Sequence, residues 1–201
     1  MCCVSLTGQK KKLLVIGKSH KPRCFKSISY DHDRLPVDYE ANDSAWMTSK
    51  IFDRWIEKWN TDVAQKNQRI LLIADNFSGH SSYTARASNI EILFLPPNTT
   101  SLSQTLDAGI IKAFKDGYFG SFHSNLVRNL DALNDEEFSL KVALKQYSLL
   151  DAINDAHKSW ENLQESTIVN CWKRTRITEV FDIVQEEVDI DHSYSNKNVL
   201  Q

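Results

Sequence analysis

The chain has 201 residues, 41% of them hydrophobic and 10% aromatic, with a formal net charge of −2. That length allows one domain, or one domain with a tail, and the apolar fraction supports a packed core. No run approaches the ~20 apolar residues of a membrane span, and the N-terminus lacks the charged-then-apolar layout of a signal peptide. Cys2, Cys3, Cys24 and Cys171 show neither CxxC spacing nor a paired Cys/His set, so reduced thiols in an intracellular compartment are expected rather than zinc or disulfides. The charge is unevenly spread. No Asp or Glu precedes Asp31, while Lys10, Lys11, Lys12, Lys18, Lys21, Arg23 and Lys26 contribute seven positive charges. A basic face on an otherwise acidic chain points weakly to nucleic acid, because charge runs are usually solvated surface.

Taken in order, Cys2–Leu6 and Lys12–Ile16 read as two strands joined by a turn at Thr7-Gly8-Gln9, and Cys24–Ile28 as a third strand. Residues 30–43 are polar, contain Pro36, and read as a connection. Thr48 then offers an N-cap before Ile51, Phe52, Trp55, Ile56 and Trp59, an apolar stripe at helical spacing in which the tryptophans are core residues. The run Ile70–Ala74 is continuous and β-branched, the pattern of a strand buried on both faces in a parallel sheet. A short helix at 83–87 leads to a second such strand, Ile90–Leu95. Helices follow at about 108–130, from Ser139, from Ser148 as a possible cap, and at 167–173. From about residue 180 the packed pattern stops, and residues 179–201 read as an acidic, disordered tail. The order of elements is α/β, with a helical C-terminal part.

Two carboxylates stand out. Asp75 ends the first buried strand, where α/β sheets bind ligands, and is followed by Asn76 and His80. Asp107 lies beyond Pro96-Pro97 and a polar loop, opening a helical pattern, with 31 residues between it and Asp75. Taken singly, each is more often a loop former or a cap.

The wording of these segments together is harder to dismiss. Leu71-Leu72-Ile73-Ala74-Asp75-Asn76 with His80, then Leu93 through Pro96-Pro97-Asn98-Thr99-Thr100 to Leu106-Asp107, resembles the DDE endonuclease domain of the pogo, Tigger and Jerky group. That group comprises transposases and their domesticated relatives, centromere protein B among them. Leu14-Val15-Ile16-Gly17-Lys18-Ser19, Pro22-Arg23-Cys24-Phe25, Ala45-Trp46-Met47-Thr48 and Glu165 through Asn170-Cys171-Trp172 are similar to the same group, in the same order.

The resemblance implies a ribonuclease H-like mixed sheet flanked by helices, over residues 1–178. It also implies three acidic residues holding Mg²⁺ or Mn²⁺ for phosphodiester cleavage and strand transfer. Asp75 matches the second and Asp107 the third, with Asn76 and His80 as polar support. The strand that carries the first, central in the family's sheet, has no counterpart here. Asp31, Asp33 and Asp38 fall in a later connection and are poor substitutes. Thr105 and Ala108 also depart from the family's usual Pro and Gln beside the third carboxylate. The leading expectation is thus a transposon-derived, nucleus-located domain with two of three carboxylates, binding DNA independently of sequence through Lys10, Lys11, Lys12, Lys18, Lys21 and Arg23. The alternatives are an active Mg²⁺-dependent endonuclease, if a third carboxylate is supplied, and a protein-interaction module. Open strand edges around the missing strand imply self-association.

Overall fold

The amino-terminal arm folds back on itself. Ser5 N–H donates to the Gln9 carbonyl at 2.8 Å, Lys11 N–H to Cys3 at 2.9 Å and Leu14 N–H to Met1 at 3.2 Å, around Gly8 at φ +90°. The structure is a computed structural model that describes residues 1–75, 88–95, 104–133, 139–175 and 177. The expected helix at 83–87 and the acidic tail at 179–201 lie outside those residues.

The hairpin leads into β1 (Leu14–Gly17), which pairs in parallel with β2 (Asp38–Ala41) in the register Leu14 to Asp38 and Gly17 to Ala41. Here the structure corrects two expectations. Residues 30–43 hold a strand as well as a connection: Val37, Tyr39 and Ala41 alternate inward, while Asp38 and Glu40 face out to Lys58 and Arg54. Pro36 and the two acids obscure that short period-two pattern. Cys24–Ile28 is not a strand but part of a 3₁₀ helix, Arg23–Ile28. Of its residues only Phe25 is buried, and one anchor without alternation gives a sheet nothing to pack.

Thr48 caps α1 (Ser49–Gln65) as expected, its hydroxyl accepting the Ile51 N–H at 3.4 Å. Helix α1 runs antiparallel to β2, since Asp38 at the start of β2 meets Lys58 at mid-helix and Glu40 meets Arg54 nearer the helix N-terminus. Beyond α1, β3 (Ile70–Ala74) and β4 (Ile90–Phe94) pair in parallel, Ile70 opposite Ile90 and Ala74 opposite Phe94. They start at the C-terminal end of α1, where the Asn60 side chain accepts the Asn89 N–H at 2.9 Å. All four strands therefore run the same way along α1, with their carboxyl ends on the side of its N-terminus.

The stripe Ile51, Phe52, Trp55 and Ile56 packs on both strand pairs at once, touching Leu14 and Ile16 on one side and Leu72 and Ile92 on the other. No ladder joins the two pairs among the described residues, and in the expected strand Cys2–Leu6 the structure shows a single antiparallel bridge, Val4 to Lys10, rather than a strand. The expectation that β3 is buried on both faces is also corrected. Leu71 and Leu93, on the face away from α1, are 44% and 43% exposed.

The opposite face of β1 and β2 carries the larger core. A π-helical turn (Leu106–Ile110) opens into α2 (Ile111–Asp131), followed by α3 (Leu140–Gln146), α4 (Leu149–Asn162) and α5 (Glu165–Thr175). Ser148 and Asp151 form a reciprocal capping box that starts α4. Ile110, Ile153, Trp160 and Ile168, all at most 1% exposed, pack against Leu13, Phe25 and Val37. Buried Asp155 accepts from Asn125 at 2.6 Å and from the Tyr147 hydroxyl at 2.9 Å, tying α2, α3 and α4 together. Burial, with hydrogen bonding to Tyr118 and Asp155, pushes the Tyr147 phenol far above its usual range.

Ile56 is fully buried under the stripe, so Ile56→Ala should cost about 2–5 kcal/mol in urea unfolding. Because the stripe is what joins the strand pairs, the loss should come with a shallower denaturant slope. A small loss at unchanged slope would show that α1 does not couple them.

Candidate nucleic-acid and metal site

Asp75 is the first residue past β3, and the ladder persists to that point, with Leu95 N–H donating to the Ala74 carbonyl at 2.8 Å. The carboxylate is half-buried at the carboxyl end of the parallel pair. Asn76 and His80 lie outside the described residues. Asp107 sits in the turn that opens the helical half, its N–H donating to the Gln104 carbonyl at 3.0 Å and its side chain exposed. Just after it the backbone breaks from helical geometry at Gly109 (φ +144°, ψ −16°), and Thr105 is buried with its hydroxyl unpaired among the described residues. No group of three or more His, Cys, Asp or Glu that could hold a metal occurs among the described residues.

The weaker acidic candidates are placed elsewhere. Asp38 begins β2, at the opposite end of the strands from Asp75, and faces Lys58 at 3.3 Å and Lys12 at 3.8 Å. Asp31 caps a 3₁₀ turn by accepting the Asp33 N–H at 3.0 Å.

The basic residues divide sharply. The Lys10 ammonium donates to three carbonyls at the end of α4, Trp160 at 2.9 Å, Glu161 at 2.6 Å and Leu163 at 3.0 Å. That is the full donor capacity of an ammonium, placed at the negative pole of a helix. Lys11 lies over the Trp59 ring at 4.3 Å and near Trp55, and burial lowers its pKa. Next to it burial pushes the Cys3 thiol up to about 11. Lys12 pairs with Asp38. The Trp160 indole N–H donates to the Lys11 carbonyl at 2.9 Å, locking the same segment.

Lys18, Lys21 and Arg23 differ. They are exposed, and none has an ion pair among the described residues. Their loop leaves the carboxyl end of β1 and is fixed from beneath, since the Tyr39 hydroxyl donates to the Ser19 carbonyl at 2.9 Å and the His32 ring bonds the His20 carbonyl at 2.9 Å. Gly17 makes room for this, because a Cβ there would overlap the Tyr39 hydroxyl. Phe25, His32 and Tyr39 meet edge to face below, at centroid separations of 5.0–5.7 Å. Sequence reasoning finds the six cations but has no signal separating the three that hold the fold from the three that face solvent.

Parallel strand pairs with a carboxylate at a strand end, an acidic helix opening and a pinned basic loop define an α/β protein. Residues 1–172 match the DDE superfamily endonuclease family, and the chain belongs to it. It is 32% identical to Tigger transposable element-derived protein 4 of Mus musculus over 166 residues, 83% of this chain and 30% of that protein. It is 29% identical to Tigger transposable element-derived protein 7 of Homo sapiens over 85% of this chain and 34% of that protein, and 26% identical to the human major centromere autoantigen B over 86% and 26%. The chain thus spans about a third or less of these relatives. No solved structure matches it.

The two lysine classes should separate in a stability measurement. Lys10→Met strips three charge-assisted bonds from a helix end and should lower unfolding free energy by about 1.5–3 kcal/mol, whereas Lys18→Met should stay within about 0.5 kcal/mol of the parent. Equal effects would show that the Lys10 contacts add nothing to the fold.

Proposed function

We propose that this chain is a transposase-derived, DNA-binding domain of the nucleus, built on a ribonuclease H-like sheet. In this reading it retains Asp75 and Asp107 as two of three metal-binding carboxylates. The observation that carries the reading is the placement of Asp75 at the carboxyl end of β3, the same side on which the exposed basic loop leaves β1. Family membership supports the sheet and the chemistry that such carboxylates serve. Asn76 and His80 follow Asp75 in sequence and stand as its polar support.

Hard carboxylate oxygens suit Mg²⁺ or Mn²⁺, and Asp75 and Asp107 are the residues that would hold the ion. Bound there, a divalent cation offsets charge building on phosphate oxygens during displacement at phosphorus. Two carboxylates about 4 Å apart repel by roughly 4 kcal/mol at an effective dielectric of 20, so their gathering is tolerable chiefly where a cation is expected. With two ligands the ion keeps most of its water, and binding is weak. Calorimetry with Mn²⁺ at neutral pH should give a dissociation constant on the order of millimolar, lost in Asp75→Asn and in Asp107→Asn. Unchanged binding in either variant would remove that residue from the site. Supercoiled plasmid should survive incubation with Mg²⁺. Metal-dependent nicking that disappears in Asp107→Ala would instead restore the endonuclease reading.

The basic loop is the DNA contact, since Lys18, Lys21 and Arg23 offer unpaired charge while Lys10, Lys11 and Lys12 are engaged by the fold. Such contacts bind phosphates without reading sequence, and affinity falls with salt by about 0.9 log units per log unit of salt for each duplex phosphate met. Changing Lys18, Lys21 and Arg23 together to Gln should make the slope shallower by about 2–3. A slope that ignores this triple change but yields to Lys112 and Lys115 would move the interface to α2. Self-association is part of the same proposal, because the Leu71 and Leu93 face leaves apolar surface open.

A further inference from the structure

Trp46 is 64% exposed, the highest value among the large hydrophobic side chains of the described residues. The other four tryptophans are placed differently: Trp55 and Trp160 are buried, Trp59 lies against Trp55 under the Lys11 ammonium, and Trp172 packs half-buried against the larger core. An indole held in water is unfavourable, and nothing about its loop is loose. The Asn42 amide donates to the Trp46 carbonyl at 2.7 Å, while the Asn42 side-chain oxygen accepts the Trp46 N–H at 3.2 Å and the Ser44 hydroxyl at 3.0 Å. Ala45 N–H closes on the Asn42 carbonyl at 3.0 Å with φ +52°. On the far side Met47 packs beneath α1 and Thr48 caps it. The ring is thus presented outward by a segment fixed at both ends.

The loop beside it is cationic. Asn42 N–H donates to the Gly17 carbonyl at 3.0 Å, which sets this loop directly beside the start of the Lys18–Arg23 loop. Lys50, exposed in the first turn of α1, follows four residues after Trp46, and Asp43 is the single carboxylate within the 42–48 loop. An exposed indole on a loop that adjoins a loop of unpaired cations fits a ligand with π-faces strung along phosphates. A duplex hides its base faces in the stack, whereas a single strand offers them.

We infer that Trp46 is a stacking platform for an unpaired base of single-stranded nucleic acid, whose phosphates lie along Lys18, Lys21 and Lys50. The inference rests on the DNA-binding reading and narrows it to strands that are open, frayed or displaced. A base on Trp46 adds affinity that a duplex does not gain, so the protein prefers single strands to duplex of equal phosphate count.

The experiment compares binding of a fluorescent oligothymidylate and a duplex of equal phosphate count, by anisotropy, to the full chain and to Trp46→Ala and Trp46→Phe. Trp46→Ala should weaken single-strand binding roughly ten- to hundred-fold, with a loss on duplex at least several-fold smaller, and Trp46→Phe should recover most of it. Circular dichroism melting confirms that the variants fold. Equal losses on both ligands, no loss on the single strand, or recovery absent in Trp46→Phe would overturn the stacking role while leaving duplex binding by the basic loop intact. A parent chain that binds neither ligand, at any salt, would overturn both.

Discussion

The described fold depends on one apolar stripe. Ile51, Phe52, Trp55 and Ile56 are the contact shared by two strand pairs that no ladder connects among the described residues. In a continuous sheet, backbone hydrogen bonds would fix how far apart and how parallel the strands run. Here side-chain packing carries that task, with help from the outward ion pairs of Asp38 and Glu40 to α1. Packing is less directional than a ladder, so the relation between the carboxyl ends of β1 and β3 is softer than within either pair. Asp75 lies across that seam from Lys18, Lys21 and Arg23.

The amino-terminal charges show why charge counting has limited reach. Seven cations without an acid look like one surface, yet Lys10, Lys11 and Lys12 each meet a different structural need. One caps the carbonyls of a helix end, one lies over an indole, and one pairs with the acid that opens β2. All three needs are created by residues far off in sequence, Trp160 and Leu163 for the first and Trp59 for the second. Only after the chain has folded does the remaining positive charge concentrate in the loop after β1. A basic patch read from sequence is therefore an upper bound on the charge available to a partner.

Much of the helical half was legible, because the relevant signals are local. Thr48 and Ser148 are caps whose side chains reach their own helices, and the α1 stripe repeats at helical period over three turns. The parallel run Ile70–Ala74 was legible as a strand with Asp75 at its end, though not the openness of Leu71, which depends on what covers the outer face. Strand β2 was missed because four residues with two acids, following Pro36, carry too little pattern to outweigh a connection. Cys24–Ile28 reads as a strand because one buried Phe among polar neighbours does not distinguish a strand from a 3₁₀ turn. Of the candidate site, the strand and helix positions of Asp75 and Asp107 follow from sequence. Trp46 does not, since an exposed tryptophan has the same letters around it as a buried one.

In the proposed reading the elements that bind and the elements that react belong to different parts of the molecule. Lys18, Lys21, Arg23 and Trp46 hang from the ends of β1 and β2, pinned by Tyr39, His32 and Asn42. Asp75 belongs to β3, and Asp107 to the turn before α2. The bonds that pin the basic loop and the Trp46 loop come from Tyr39, His32 and Asn42. Removing a carboxylate therefore leaves the binding face standing, and its negative charge no longer opposes a phosphate backbone laid nearby. A domain arranged in this way can give up its metal chemistry and keep its hold on nucleic acid. The reverse does not follow, because carboxylates without the cationic loop repel the polyanion they would cut.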